Sequence, residues 1–318
     1  MAAADQARHA ASMRISLNGS AETAIAPSIG KVAASIDRAS AAGLGGYWLA
    51  QTGLSDALGF FIATAENIGD MEVGTAVIPT FTQHPIALAA HALTCQAAIG
   101  GRLVLGIGLS HQPAVEDRLG MQWDRPIRHL REYLDILLPL LESGKVSAKG
   151  EIWTANDIAT ERPYDGPPPS VMIAALGPQA LDVCGKRTDG TILWLVGPRT
   201  IREHIAPRVN EAAASANRPA PRVMCSLPIC VTDDEPAARA LVGSILAGYN
   251  DLPSYKAMLD REGVDGPADV AIIGDEASVG AQLDELADAG ATEFAALPLT
   301  FDPELMDRTW AFLQGRAG

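Results

Sequence analysis

Residues 72–111 read EVGTAVIPTFTQHPIALAAHALTCQAAIGGRLVLGIGLSH, and the order of the parts in this stretch decides the fold. A β-branched run, Glu72–Ile78, gives way to an Ala/Leu-rich segment, Pro85–Ile99, long enough for a buried helix. The Gly100-Gly101 turn then leads into a second apolar run, Leu103–Ile107. Strand, helix and strand at this spacing form a parallel pair joined by a crossover helix.

The same alternation extends in both directions. Upstream lie a strand at Arg14–Leu17 and a helix capped by Ser28, with Val32, Ile36 and Ala39 on one face and Gly43 closing it. A second strand follows at Tyr47–Ala50, then a helix over Asp56–Glu66. Downstream, Val171–Ala175, Thr191–Val196, Arg222–Val231 and Glu293–Leu297 read as strands five to eight, with helices near 178–187, 200–214 and 278–289. Eight strands and their helices in 318 residues argue for an α/β fold of the (β/α)8 TIM-barrel type rather than an open doubly wound sheet. The clearest helix begins at Ile127, with Leu130, Leu134, Leu137, Leu138 and Leu141 forming one stripe. That stripe puts His129 on the solvent side, and Pro139 is expected to kink the last turn. Two segments break the alternation and read as insertions. One lies near 144–169, expected as a β-hairpin or lid around Trp153, and the other near 236–270, where there is more helix than one crossover needs. Residues 1–12 read as a disordered leader without the apolar core of a signal peptide, and residues 13–318 as one barrel domain.

Composition narrows the function. The formal net charge of −14 repels phosphate backbones and anionic lipid, so neither nucleic acid nor a membrane is an expected partner. No stretch reaches the ~20 apolar residues of a membrane span. Cys95, Cys184, Cys225 and Cys230 form no C-x-x-C pair. They read as reduced core thiols of a cytoplasmic protein. No metal motif is present.

Barrel chemistry gathers at the C-terminal ends of the strands. That rule selects Gln51 and Thr52, Val77–Thr82, Gly108, Ser110 and His111, Leu176, Gly177 and Pro178, and Leu195–Pro198. Thr232–Asp234 reads as a turn and helix cap. Gly106-Ile107-Gly108 lacks the third glycine of a dinucleotide fingerprint and instead lets a flat ring approach the backbone. Gly177-Pro178 is either a phosphate-binding helix start or a plain turn. His111 is either an acid/base near neutrality or a surface residue. His84-Pro85 reads as a helix start and His91 as a satisfied core histidine. Ser110 lies in no nucleophile elbow, which argues against a hydrolase.

Several of these stretches together carry a family resemblance. Gly74–Pro79, His84-Pro85, Gly101–Gly108, Ala174–Pro178, Thr188–Thr191 and Ile273–Glu276 resemble, in order and spacing from Met13 to about Leu313, the luciferase-like monooxygenases. Gly108–Pro113 with Leu176–Gln179 is most similar to uncharacterised actinobacterial oxidoreductases that use the deazaflavin coenzyme F420. The resemblance implies a barrel with insertions, a homodimer, and hydride transfer between F420 and a small organic substrate. It also implies a cis peptide at Ala76–Val77. The cofactor-binding residues implied are Ala76, Val77, Gly106, Ile107, Gly108, Ser110, Ala175, Leu176, Gly177, Pro178 and Trp194; the catalytic ones are His111 and Gln51. An FMN-dependent monooxygenase activating oxygen and a non-catalytic F420-binding protein are the alternatives. Sugar-phosphate dehydrogenases of the family carry Asp-His after strand two and glutamate after strand four. This chain has Gln51-Thr52 and His111 there, so glucose-6-phosphate oxidation is not expected.

Overall fold

The computed structural model describes residues 13–24 and 26–317, and the leader expected over residues 1–12 lies outside them. Eight parallel strands close a ring: β1 (Arg14–Asn18), β2 (Gly46–Leu49), β3 (Glu72–Thr75), β4 (Leu103–Gly108), β5 (Ser170–Ala174), β6 (Gly190–Trp194), β7 (Arg222–Val231) and β8 (Glu293–Pro298). Closure comes from β1 pairing β8 in the register Arg14↔Glu293, while β7 pairs both β6 and β8. The fold is the α/β barrel expected from the alternation, and the eight runs read from the sequence are its eight strands.

Helices α1 (Ile29–Ala41), α2 (Ala57–Ala63), α3 (Pro85–Ala98), α4 (Pro126–Ser143), α5 (Pro178–Arg187) and α6 (Ala206–Ser215) follow the first six strands. Their starts obey capping chemistry. Ser28 accepts from the Lys31 amide at 3.2 Å, and the His84 Nδ1 accepts from Ile86 at 3.2 Å. After β7 come α7 (Glu235–Leu246), capped by Asp234, and α8 (Pro253–Glu262). A short strand, Ile272–Gly274, then pairs parallel with the outer end of β7, before α9 (Glu276–Asp288), capped by Asp275. This strand was not expected. Helix α10 (Pro303–Ala317) closes the chain. Between α4 and β5 an antiparallel hairpin, Lys145–Lys149 with Thr154–Ala159, stands outside the ring. Helix α4 runs to Ser143 with Pro139 inside it. Among the described residues, no helix is long and apolar enough to cross a membrane. All four cysteines are free and buried.

Two apolar layers hold the barrel. The larger lies between strands and helices. The smaller fills the ring itself, with Trp48, Val104, Met172, Ile192, Met224 and Ala295 in contact. Trp48 is the bulkiest of these, and Gly74 makes room for it: a Cβ on Gly74 would lie 2.3 Å from the indole ring.

Beneath this layer, four residues that each begin a strand converge: Arg14, Glu72, Arg222 and Glu293. Arg14 hydrogen-bonds to Glu72. Arg222 donates to Glu72 at 3.0 and 2.9 Å and to Glu293 at 2.6 Å. Glu293 is 1% exposed and also accepts from Ser16 Oγ at 2.6 Å and Trp48 Nε1 at 2.7 Å. One carboxylate thus ties the charged floor to the ring that fills the barrel.

Two histidines sit differently from the sequence reading. His91 is not a core residue; it is half-exposed at the edge of α3, 3.5 Å from Asp56. His129 is not on a solvent face. It is 2% exposed, its Nε2 lies 3.0 Å from Thr80 Oγ1, and its ring stacks on Phe81 at 3.9 Å. The hairpin explains this, because Trp153 from its turn packs on His129 at 5.3 Å and covers that side of α4. Glu132 holds the turn by accepting from the amides of Ile152 at 2.7 Å and Trp153 at 3.0 Å.

The floor makes two testable statements. Arg222→Met leaves two carboxylates without their shared partner and is expected to lower unfolding stability by about 3–5 kcal/mol in denaturant titrations; a loss below 1 kcal/mol contradicts this. Burial raises the Glu72 carboxyl, but Arg222 and Arg14 outweigh it, and the net position is below the ordinary carboxylate value. A depressed folded pKa stabilises above the unfolded value of ~4.3, and that stability is lost as pH falls through the lower folded value. Melting temperatures between pH 6 and 2 are therefore expected to fall less steeply in Glu72→Gln than in the wild type.

Candidate active site at the barrel mouth

The mouth is shaped first by a mismatch between β3 and β4. Gly74 pairs with Val104, and the next pairing is Ile78 with Ile107. The chain therefore advances four residues on one side and three on the other, leaving one residue over, which is a β-bulge. The bulge is Ala76-Val77, whose peptide bond is cis, as the resemblance implied. Thr75 anchors it: its Oγ1 donates to the Gly106 carbonyl at 2.7 Å and accepts from the Gly106 amide at 2.9 Å. A Cβ on Gly106 would lie 1.8 Å from the Thr75 carbonyl oxygen, so only glycine fits there.

Side chains alternate along a strand, so the residues two beyond the inner cluster face the mouth. On β5 this is Ala174, and just past β2 it is Ala50. Ala76 and Val77 of the bulge pack on the inner cluster from above. Gly108 completes the set, since its Cβ would meet Val77 Cγ2 at 2.7 Å and Ala174 Cβ at 3.3 Å. From β2 to β5, the mouth is floored by alanine and glycine, with Val77 as the largest side chain. Ala50, Ala76, Val77 and Ala174 are half-buried, so solvent reaches this shelf. Across the mouth the floor is polar: Asn18 Nδ2 donates to Ser226 Oγ at 2.9 Å, and Ser226 donates to the Ala295 carbonyl at 2.8 Å.

The rim carries the sequence-selected residues. Ser110 and Leu195, just past β4 and β6, have φ of 67° and 56°, left-handed conformations that cost a non-glycine residue of order 1 kcal/mol or more and cluster at functional sites. His111 is half-buried, and burial lowers its pKa from the ordinary value, so the imidazole is neutral near pH 7. Gln51 sits beside the bulge, its backbone N–H donating to the Val77 carbonyl at 3.3 Å. Trp194 is half-buried at the end of β6. Gly177 is the N-cap of α5 with no side chain capping the helix, and Gly177 and Pro178 are exposed. Beside them His204 Nε2 donates to the Leu176 carbonyl at 2.9 Å and Arg208 Nε to the Pro178 carbonyl at 2.9 Å. Ile107 and Ala175 face the helix layer and are buried there, away from the mouth.

The structure adds two residues that the sequence reading did not select. Tyr249, from the segment joining α7 and α8, and Tyr255, in the first turn of α8, link a chain of rings across the rim. His111 contacts Tyr255 at 5.4 Å, Tyr255 contacts Tyr249 at 4.9 Å, and Tyr249 contacts Trp194 at 6.2 Å. Their only local signal was aromatic content in an otherwise helical insertion, which reads equally well as packing.

Residues 9–293 match the family described as luciferase-like monooxygenase. An uncharacterised protein of Mycobacterium tuberculosis is 29% identical over 234 residues, covering 70% of this chain and 68% of its own. An F420-dependent glucose-6-phosphate dehydrogenase of Amycolatopsis mediterranei is 29% identical over 192 residues, covering 58% of this chain and 57% of its own. Among solved structures, the FMN-bound oxygenating constituent of 3,6-diketocamphane monooxygenase from Pseudomonas putida superposes with a TM-score of 0.77 at 16% identity, covering 96% of this chain and 97% of its own. The closed barrel, the bulge over an alanine–glycine shelf and a match spanning residues 9–293 together make this chain a member of the luciferase-like monooxygenase family.

Proposed function

We propose that this protein is an F420-dependent oxidoreductase acting on a small organic substrate. The observation that carries the reading is the shelf of Ala50, Ala76, Gly108 and Ala174, where a Cβ on Gly108 would project between Val77 and Ala174. A flat tricyclic ring fits such a surface because no side chain larger than that of Val77 stands on it. F420 is favoured over FMN by the F420-dependent relative at 29% identity. Its sugar-phosphate substrate is not carried over, since Gln51-Thr52 and His111 differ from that enzyme type.

When bound, the deazaflavin accepts or donates a hydride. The protein's own contribution is orientation and proton handling. The bulge and Gly108 would hold the ring. The uncapped start of α5, next to a stretch with three arginines and one histidine against one glutamate over residues 199–208, suits an anionic end of the ligand. Neutral His111 can take a proton from a substrate hydroxyl at its free ring nitrogen, and Gln51 beside the bulge can hold the substrate's oxygen by hydrogen bonding.

Binding titrations followed by visible absorbance are expected to give F420 a dissociation constant at least tenfold below that of FMN. The reverse order would make the protein an FMN enzyme, and binding of neither removes the proposal. Gly108→Val, whose Cβ must displace Val77 and crowd Ala174, is expected to weaken F420 binding by tenfold or more and to cost about 1–3 kcal/mol of stability in denaturant titrations. NMR titration of the His111 ring should give a midpoint below ~6.5, as burial dictates. Turnover lost in His111→Ala with F420 binding retained separates an enzyme from a protein that merely binds the cofactor.

A further inference from the structure

The ring chain over the mouth is more than packing. A cluster that only stabilised the insertion would bury its members fully, and Tyr255 at 8% exposed does so. Tyr249, Trp194 and His111 instead remain half-buried at the C-terminal end of the barrel. The rings run from just past the end of β4 to the end of β6, the two strands that flank β5, whose Ala174 contributes to the shelf.

The wall is also fixed in place. Glu262, at the end of α8, accepts from the amides of Arg199 at 3.0 Å and Thr200 at 2.7 Å, and Thr200 Oγ1 donates to the Met258 carbonyl at 3.2 Å. These bonds fasten α8 to the helical turn Pro198–Thr200 just after β6, so the tyrosines are held before a ligand arrives. None of the rings carries a charge at neutral pH: burial keeps His111 unprotonated and the Tyr255 phenol un-ionised.

We infer that this segment makes the mouth selective for an uncharged ligand bearing an aromatic ring, with Tyr249 as the specificity-determining residue. An aromatic ring gains edge-to-face or offset contacts with Tyr249 and Trp194 that a saturated ring of the same size cannot make. A charged group there meets no counter-ion from the wall and loses hydration. The inference rests on the proposed function, in that the ligand is the substrate of the F420 reaction, but the wall's selectivity can be read without turnover.

The test compares three ketones by ligand-observed NMR, on the protein alone and with cofactor added: acetophenone, cyclohexyl methyl ketone and 4-acetylbenzoate. Acetophenone is expected to bind about five- to tenfold more tightly than its saturated analogue, and at least tenfold more tightly than the carboxylate. In Tyr249→Leu the aromatic preference should shrink to less than twofold, with cofactor affinity unchanged. Equal binding of the first two ketones to the wild type, or tightest binding of the carboxylate, overturns the inference whether or not the variant folds. A preference that survives Tyr249→Leu overturns the role of that residue. If neither F420 nor FMN binds, the proposed function fails while the ketone series still reads the wall.

Discussion

The close approach of Thr75 to Gly106 is the constraint on which the mouth depends. With the Thr75 carbonyl oxygen where a Cβ would otherwise stand, β4 accepts no side chain at that position. The Thr75 hydroxyl takes over both hydrogen-bonding groups of Gly106, so the ladder is interrupted without leaving buried backbone unpaired. The extra residue of β3 has to go somewhere, and it goes into the mouth as the Ala76-Val77 bulge. The shelf is thus a consequence of backbone packing between two neighbouring strands, made before any ligand is considered.

The two ends of the barrel divide the labour. At the N-terminal end, four charged residues neutralise one another and hold Trp48 through Glu293. At the C-terminal end, the shelf and the ring chain are built of small, polar or aromatic groups that carry no charge. This contrast sits inside a chain whose net charge is −14; the acidic excess lies on the outer surface, where it favours solubility. Charged side chains cluster at the floor, and the alanine–glycine shelf carries none.

Much of this was legible in the sequence. The eight strands announced themselves because strands buried on both faces read as short apolar runs, and the strand-end rule led to the rim residues Gln51, Ser110, His111 and Leu195. The position of the bulge came from the family resemblance rather than from any pattern in the residues. What escaped notice depends on distant partners. The periodicity of α4 describes only its own stripe, so it could not reveal that the hairpin turn at Trp153 covers His129. Arg14, Glu72, Arg222 and Glu293 each look like an ordinary strand-leading charge until the ring closes and gathers them. The strand Ile272–Gly274 is three residues long, too short for a pattern. Tyr249 and Tyr255 lie in an insertion whose placement over the mouth no local signal specifies.

The most direct measurement is a crystal structure of the protein soaked with F420. The account predicts continuous density for the deazaflavin ring lying over the Ala76-Val77 bulge, in contact with Gly108 and Ala174. Ring density elsewhere, with the shelf covered by protein side chains, would contradict it.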